Sequence, residues 1–383
     1  MEYTEKKKEQ LWELHELNDE NEENIDIEKV QRFLNDSEMF CSFGENLSRI
    51  IREKMPLGAE ETPAQFLLKC SKESGVILNR NTVVNWISGG LRPKKGNESR
   101  ENMFKIAFAL NLSVEETYRL FHHVYLDRSF NFRRANECIY YYCINTGRTY
   151  QHAQNLLEAL HRESNACFSQ EDRTIGTQLI GAELKELSED EDVLQYIREH
   201  PHNFSINNRA ALKKLCEYKE KAERAVREEL GRKEDEKKRG ESRKSVNFMF
   251  RIITGQSFLK EEGGLSSLTG KYQLLKEISN NFPQPQVLSR LSADAKKELT
   301  YDEIRKLIIF FYSYWYWERM EAQKSLVELD EFENSLSDLL NEINYSPLYY
   351  GNPYDWLYLY CAITDRPLDT FREILDKALP QKD

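Results

Sequence analysis

Glycine and proline are scarce in this chain, which has 16 glycines and 10 prolines in 383 residues. Because both residues mark turns and β-rich folds need many turns, their scarcity favours helices over strands. Long apolar runs are also missing: the strongest, Leu307 to Trp317, covers only eleven residues, whereas a membrane-spanning helix needs about 20. The sequence therefore predicts an all-α protein without a membrane partner, in which this run forms a buried helix.

Secretion and redox signals are also lacking. The first ten residues are charged and contain no apolar core of a signal peptide, so none is expected. The seven cysteines are scattered without a CxxC pair, and the closest two, Cys138 and Cys143, fit neither a zinc knuckle nor a redox motif. These features predict a reduced, cytoplasmic chain.

Motifs of catalysis are missing as well. The sequence contains no P-loop, no GxGxxG after a strand, no HExxH and no GxSxG. His122 and His123 are adjacent, so on a helix they point about 100° apart and do not converge on one metal. Helical ribonucleases place four to six residues between an arginine and a histidine, whereas Arg148 and His152 have only three between them. We expect no enzymatic activity, no catalytic residue, no metal site and no cofactor.

Charge is unevenly distributed along the chain, whose net charge is −11. The segment Glu13 to Glu28 is rich in Asp and Glu and contains no Lys or Arg, so residues 1–35 are interpreted as an acidic, flexible arm. An autoinhibitory mimic of DNA phosphate is the alternative interpretation of this arm. From Glu60 to Arg128, in contrast, ten Lys and Arg outnumber eight Asp and Glu, which gives a local positive charge.

One stretch, Leu78 to Pro93, combines a short amphipathic helix with a basic loop. Its apolar residues at helical spacing are Val83, Trp86 and Ile87. Its polar residues on the other side are Arg80, Asn81, Asn85 and Ser88. Gly89 and Gly90 then favour a helix end. Arg and Asn on one helix face can hydrogen-bond the edges of bases, and the basic loop that follows can pair with backbone phosphates.

These residues resemble the recognition helix of the Xre-type, lambda-repressor-like helix-turn-helix family. The resemblance is carried by the order Asn79, Arg80, Asn81, Thr82, Val83, Val84, Asn85, Trp86, Ile87, Ser88, Gly89. The stretch Ile106 to Glu116, with a capping box from Ser113 to Glu116, is similar to the family's fourth and fifth helices. Thr62 and Gln65 form the same kind of box at the predicted second helix. The similarity covers about residues 37–124.

The resemblance implies a set of DNA contacts. The residues expected to face bases are Arg80, Asn81, Thr82, Asn85 and Ser88. Those expected to contact phosphate are Arg92, Lys94, Lys95 and Arg100. Trp86 is expected to lie in the core. The sequence departs from the family at Ser71 to Leu78, a connection predicted to be about four residues longer than usual, which affects the docking angle of the third helix.

The remaining chain is divided by composition and by an internal match. Besides the arm, we predict a helix-turn-helix domain at 36–128, a middle region of helical hairpin and long helix at 129–244, and an aromatic-rich helical domain at 245–383. Phe130 to Leu157 aligns without a gap over Leu348 to Leu375, at an offset of 218 residues. A repeated hairpin predicts repeat-like helical packing, with Cys143 and Cys361 in equivalent buried positions.

Two functions of different classes follow from these features. The first is a sequence-specific DNA-binding transcriptional regulator, whose partners are double-stranded DNA and a second copy of the chain in a homodimer. The C-terminal helices would then provide sensing of a protein or peptide ligand, and their aromatics would provide the dimer interface. The second is a helical interaction scaffold or adaptor that does not use its helix-turn-helix for DNA, which the acidic balance favours.

Overall fold

The computed structural model describes residues 2–19, 26–35, 40–89, 93, 96–162, 177–200, 209–232, 246–255 and 299–377. Within these ranges all regular structure is helical, which confirms the predicted all-α class. The helices are α1 (Glu2–Asp19), α2 (Ile27–Asn35), α3 (Phe43–Lys54), α4 (Pro63–Glu73), α5 (Arg80–Ile87), α6 (Asn97–Ala109), α7 (Val114–Arg119, continued by a π-helical turn Leu120–Tyr125), α8 (Ala135–Asn145), α9 (Tyr150–Arg162), α10 (Thr177–Glu186), α11 (Asp190–Glu199), α12 (Arg209–Arg232), α13 (Val246–Ile253), α14 (Tyr301–Ala322), α15 (Leu329–Glu342), α16 (Pro353–Ala362) and α17 (Pro367–Lys377). None of them combines the length and the apolar character that crossing a membrane requires.

The chain folds into two compact units. The motif unit is Cys41–Asn208, and the split unit combines Met1–Phe40 with Arg209–Asp383. The predicted division into four segments is therefore wrong. The predicted middle region, 129–244, is divided between the two units, because α8 to α11 pack within the motif unit and α12 packs on α14 in the split unit.

The N-terminal segment is not a flexible arm where the structure describes it. Leu11 and Leu14 of α1 and Val30 and Leu34 of α2 are buried in the apolar core of the split unit. The prediction relied on the acidic composition. It overlooked that Leu11 and Leu14, and likewise Val30 and Leu34, are three or four positions apart and so lie on one face of a helix. The most acidic part, residues 20–25, lies outside the described residues.

Local signals in the sequence set the helix starts. Thr62, Ser113 and Thr300 each accept a hydrogen bond from the backbone N–H of the residue three positions on, and the side chain of that residue bonds back to the cap. The boxes at Thr62 and Ser113 confirm the two helix starts predicted from the sequence. The first helix of the motif unit begins at Phe43, with Ser42 as its cap.

The apolar run Leu307 to Trp317 lies in α14, which is buried on nearly all sides in the split unit. The aromatics that were expected to leave an uncovered patch for dimerisation are mostly buried inside this unit. They are Tyr312, Tyr314, Tyr316, Trp317, Tyr350, Tyr354, Trp356, Tyr358 and Tyr360, while Trp315 and Tyr349 are half-buried. The argument for an aromatic dimer patch therefore fails for the described residues.

The two hairpins that match in sequence are helical hairpins in both units: α8 with α9, and α16 with α17. Cys143 and Cys361 are each fully buried, as predicted. The chain turns into each hairpin through a residue in the left-handed region, Leu126 at φ 55° and Asn344 at φ 60°. These two residues also differ by 218 positions, so the match extends beyond the aligned segment.

A buried ion pair is repeated at the start of both hairpins. Arg100 of α6 bonds Glu137 through two nitrogens and donates to the carbonyls of Arg128 and Ser129. Arg305 of α14 bonds Asp355 in the same way. The carbonyls that Arg305 reaches belong to Ser346 and Pro347, which are again 218 positions after those bonded by Arg100. We call these two arrangements the arginine locks.

Candidate nucleic-acid interface

The connection between α4 and α5 is shorter than the sequence suggested. Helix α4 continues to Glu73, so the connection runs only from Ser74 to Asn79. Gly75, at φ 71°, ends the helix, and the N–H of Val76 donates to the carbonyl of Ser71 at 2.9 Å. This is a helix end of the Schellman type, in which glycine relieves the cost of left-handed backbone. The predicted excess length included residues that are helical.

The inner face of α5 is fixed by burial. Val83 and Trp86 are 1% and 6% exposed, and the Phe43 ring packs edge-on against Trp86 with centroids 5.7 Å apart. Trp86 is therefore a core residue, as expected. Helix α5 packs against both α3 and α4.

Gly44 permits the close approach of α3 to the last turn of α5. A Cβ atom at this position would lie 2.4 Å from the carbonyl oxygen of Trp86 and 2.7 Å from that of Ile87. Both distances are far below van der Waals contact, and both partners are backbone atoms that cannot rotate away. Gly44 thus sets the separation between the two helices, and with it the position of α5.

The outer face of α5 carries most of the predicted base-contacting residues. Arg80, Asn81, Asn85 and Ser88 are exposed, and Thr82 is half-buried. Asn79 caps the helix by accepting from the N–H of Thr82 at 3.1 Å, so the first turn is held independently of solvent. The helix contains no acidic residue.

Val84 is a member of this face that sequence reasoning did not assign. Its side chain is 42% exposed. At about 100° per residue, Val84 projects between Arg80 and Ser88 on the helix. A valine side chain that is this exposed contributes little to stability through burial. Its place between polar residues follows from helical spacing and could have been predicted from the sequence.

Of the residues predicted to contact phosphate, only Arg100 lies within the described part of the chain. Arg92, Lys94 and Lys95 lie outside the described residues. Arg100 is described, and it is 7% exposed inside its arginine lock, with Asp127 at 3.2 Å as a further partner. The prediction that Arg100 contacts phosphate is wrong, because its guanidinium is already surrounded by carboxylates and carbonyls.

The lock keeps both partners charged. Burial by itself would lower the pKa of Arg100, but Glu137 and Asp127 outweigh it and raise that pKa above its usual value. Burial likewise would raise the pKa of Glu137, but the charge of Arg100 and its hydrogen bonds lower it. The pair is structural: it joins α6 to the hairpin of α8 and α9 within the motif unit.

Comparisons with known proteins do not indicate what the outer face of α5 binds. No protein-family model, curated protein or solved structure was found to match the chain.

Proposed function

We propose that the chain is a sequence-specific DNA-binding transcriptional regulator whose motif unit presents α5 to the major groove. The observation that supports this most is the contrast between the two faces of α5. Its inner face is fixed by Trp86 and by the close contact at Gly44, whereas its outer face is polar apart from Val84 and carries no carboxylate. A rigid helix with an exposed Arg and Asn face has the chemistry that reads base edges.

The proposed roles follow from side-chain chemistry and exposure. Arg80 would bond guanine through two nitrogens, and Asn81 and Asn85 would bond adenine. Ser88 would add a hydroxyl that serves as donor or acceptor. Thr82 would contribute least, since it is the only one of the five that is half-buried.

Val84 would add an apolar contact to this face. Thymine alone among the bases presents a methyl group in the major groove, and small apolar side chains contact it. We therefore propose that the base pair opposite Val84 carries a thymine. Changing Val84 to Ser should relax the preference at that one position and leave the others unchanged in a selection experiment.

The test begins by selecting bound sequences from random DNA, followed by titration of the selected site by fluorescence anisotropy. Arg80→Ala and Asn85→Ala should each weaken specific binding by about 1–3 kcal/mol, roughly 5- to 150-fold, without a change in the unfolding midpoint. Arg80→Lys keeps the charge but loses the paired geometry, so it should lose specificity and retain non-specific binding. Asn155→Ala, an exposed amide on α9, is the matched control. Absence of DNA binding by the wild-type chain at low salt would refute the proposal.

A second function, a helical interaction scaffold, is supported by the net charge of −11 and by the size of the split unit. An acidic chain repels DNA unless its positive charge is local. The same titration separates the two functions, because the scaffold predicts no saturable DNA binding even at low salt. The homodimer is retained as a proposal based on the usual pairing of helix-turn-helix modules on two half-sites.

A further inference from the structure

The two arginine locks give a register for comparing α6 and α8 with α14 and α16. Arg100 and Arg305 donate to backbone carbonyls at matching positions of the two hairpins. Tyr354 of α16 is fully buried, and its hydroxyl donates to the carbonyl of Lys306 in α14 at 2.9 Å, so its side chain fills space between these helices. The matching residue of α8 is Asn136, which is half-buried and lacks a ring. Asn136 lines a cavity of about 680 Å³ between α6, α8 and α9, which we call the hairpin cavity.

Much of the lining of the hairpin cavity is apolar. Its apolar residues are Phe104, Ala135, Tyr140, Leu157 and Leu160. Sites for small molecules typically have volumes of about 300–1,000 Å³ and combine apolar walls with a few polar groups that orient the ligand. The hairpin cavity fits this description, so the charged groups of its lining decide which head group it can accept.

The guanidinium groups in the lining are already engaged. Arg100 is held in its lock by Glu137, and Arg134 donates to Asn97 and Glu137 at 2.6 Å and 3.3 Å. Arg133 is half-buried and also interacts within the chain. An anionic ligand would have to compete with the Glu137 carboxylate for two of these three groups.

Two carboxylates of the lining, in contrast, retain oxygens to which no described residue donates. Glu101 is half-buried, and its Oε1 accepts from the hydroxyls of Tyr140 and Tyr150, each at 2.7 Å, whereas its Oε2 has no donor among the described residues. Glu98, three positions earlier on α6, is exposed and pairs with no cation in the described part of the chain. A half-buried carboxylate attracts a cation more strongly than an exposed one, because water screens it less.

The charge balance of the hairpin cavity also favours a cation. Three glutamates and three arginines line it, and Asp127 adds a fourth carboxylate as a partner of Arg100 at 3.2 Å. One negative charge is therefore in excess. The ring of Tyr140, which lies in the lining beside Glu101, adds an aromatic face to which cations are attracted.

We propose that the hairpin cavity binds a small arylalkylamine, in which a primary ammonium group is joined to an aromatic ring. The ammonium group would donate to Oε2 of Glu101, in a charge-assisted hydrogen bond. The two tyrosine hydroxyls that bond Oε1 hold this carboxylate in position before the ligand arrives. The aromatic ring would pack against Phe104 and Leu157, and Glu98 would add a weaker, solvent-screened attraction.

Isothermal titration calorimetry on the full chain, without DNA, tests this proposal. The probes are 2-phenylethylamine, 2-phenylethanol, which has a neutral hydroxyl in place of the ammonium group, and 3-phenylpropionate, which has a carboxylate there. We expect saturable binding of the amine at millimolar concentration and at least tenfold weaker binding of both analogues, because only the amine can make the charge-assisted bond. Absence of saturable binding of the amine, or a preference over either analogue of less than tenfold, would overturn the proposal.

A charge variant identifies the carboxylate. Glu101→Gln removes the charge and keeps an acceptor oxygen for the two tyrosines, so it should abolish the preference for 2-phenylethylamine over 2-phenylethanol in a folded chain. Glu60→Gln, which neutralises an exposed carboxylate in the loop before α4, is the matched control and should retain the preference. An unchanged preference in Glu101→Gln would refute the assignment.

A second variant locates the ring. Asn136→Phe introduces a ring into the hairpin cavity and should abolish binding of 2-phenylethylamine, whereas wild-type affinity in the folded variant would place the ligand elsewhere. Urea unfolding shows whether this variant folds, and Glu101→Gln decides the question if it does not. Because no step involves DNA, these outcomes are independent of the proposed function.

Discussion

Replacing Gly44 by alanine should impair DNA recognition in a chain that still folds. The added Cβ would lie 2.4 Å from the carbonyl oxygen of Trp86, whereas comfortable contact begins at about 3.5 Å. Since the obstacle is backbone, α3 and the last turn of α5 must separate by roughly 1 Å. Overpacking of this kind costs about 1–3 kcal/mol, and alanine returns up to about 1 kcal/mol through helix propensity. The net loss of stability should thus be about 0–3 kcal/mol.

Recognition should be impaired even in the folded variant, because hydrogen bonds to base edges require good geometry. A displacement of about 1 Å takes a bond of 2.9 Å outside the range in which it contributes. We expect at least a tenfold loss of affinity for the selected site and unchanged affinity for random DNA. The assays are urea unfolding, followed by circular dichroism, and anisotropy titration with both DNAs.

Gly96→Ala is the matched control, because a Cβ there meets no atom within 4 Å and its φ of 166° is extended backbone. It should leave stability and DNA affinity within about 0.5 kcal/mol of wild type. Wild-type affinity of Gly44→Ala for the selected site would refute the reasoning that this contact positions α5. Equal losses for both DNAs would instead indicate general unfolding.

Three further outcomes are expected. Lys94→Ala should weaken all DNA sequences alike and reduce the slope of log affinity against log salt by about 1, whereas an unchanged slope would remove Lys94 from the phosphate contacts. Glu137→Gln leaves Arg100 without its main partner and should cost about 3–5 kcal/mol near pH 7 in urea unfolding. The folded-state pKa of Glu137 is lowered, so its contribution is present above the unfolded value of about 4.5 and is lost as the pH falls below it. The difference between variant and wild type should therefore shrink below about pH 4.5, and a difference independent of pH would contradict this. Light scattering after size exclusion should show a dimer, and a mass near 45.3 kDa with and without DNA would exclude it.

Features with local causes could be predicted from the sequence. The capping boxes at Thr62, Ser113 and Thr300 depend on residues three positions apart, so the sequence contains the whole signal. The two faces of α5 also follow from helical spacing, which assigned Trp86 inward and Arg80 outward.

The environment of Arg100 could not be predicted in this way. In sequence it follows a basic loop, which favoured a phosphate contact, but its partner Glu137 is 37 positions further on. One signal was present: the repeat aligned Glu137 with Asp355, and each is the only charged residue in the first helix of its hairpin. A carboxylate buried in the first helix of both hairpins requires a cation, so the sequence predicts a buried cation beside each hairpin without identifying it.

Gly44 shows a second limit. Its importance depends on the carbonyl oxygens of Trp86 and Ile87, which come close only after α3 and α5 have packed. A glycine in the first turn of a helix has no distinctive local pattern. Contacts of this kind can be read only from coordinates.

The arginine locks bear on how each unit achieves a unique internal packing rather than on how stable that unit is. Burying an ion pair costs desolvation that its attraction roughly offsets, so well-packed apolar residues would stabilise the hairpins comparably. The guanidinium of Arg100 makes bonds that apolar side chains cannot make. It donates to the carbonyls of Arg128 and Ser129, in the turn before the hairpin, and to Glu137 in the hairpin's first helix. Few shifts of α6 along α8 would preserve all these bonds. The same set recurs around Arg305, although the neighbouring side chains differ, as Asn136 and Tyr354 do. The lock therefore fixes the register of α6 or α14 against its hairpin. The side chains that pack beside the lock differ between the two units.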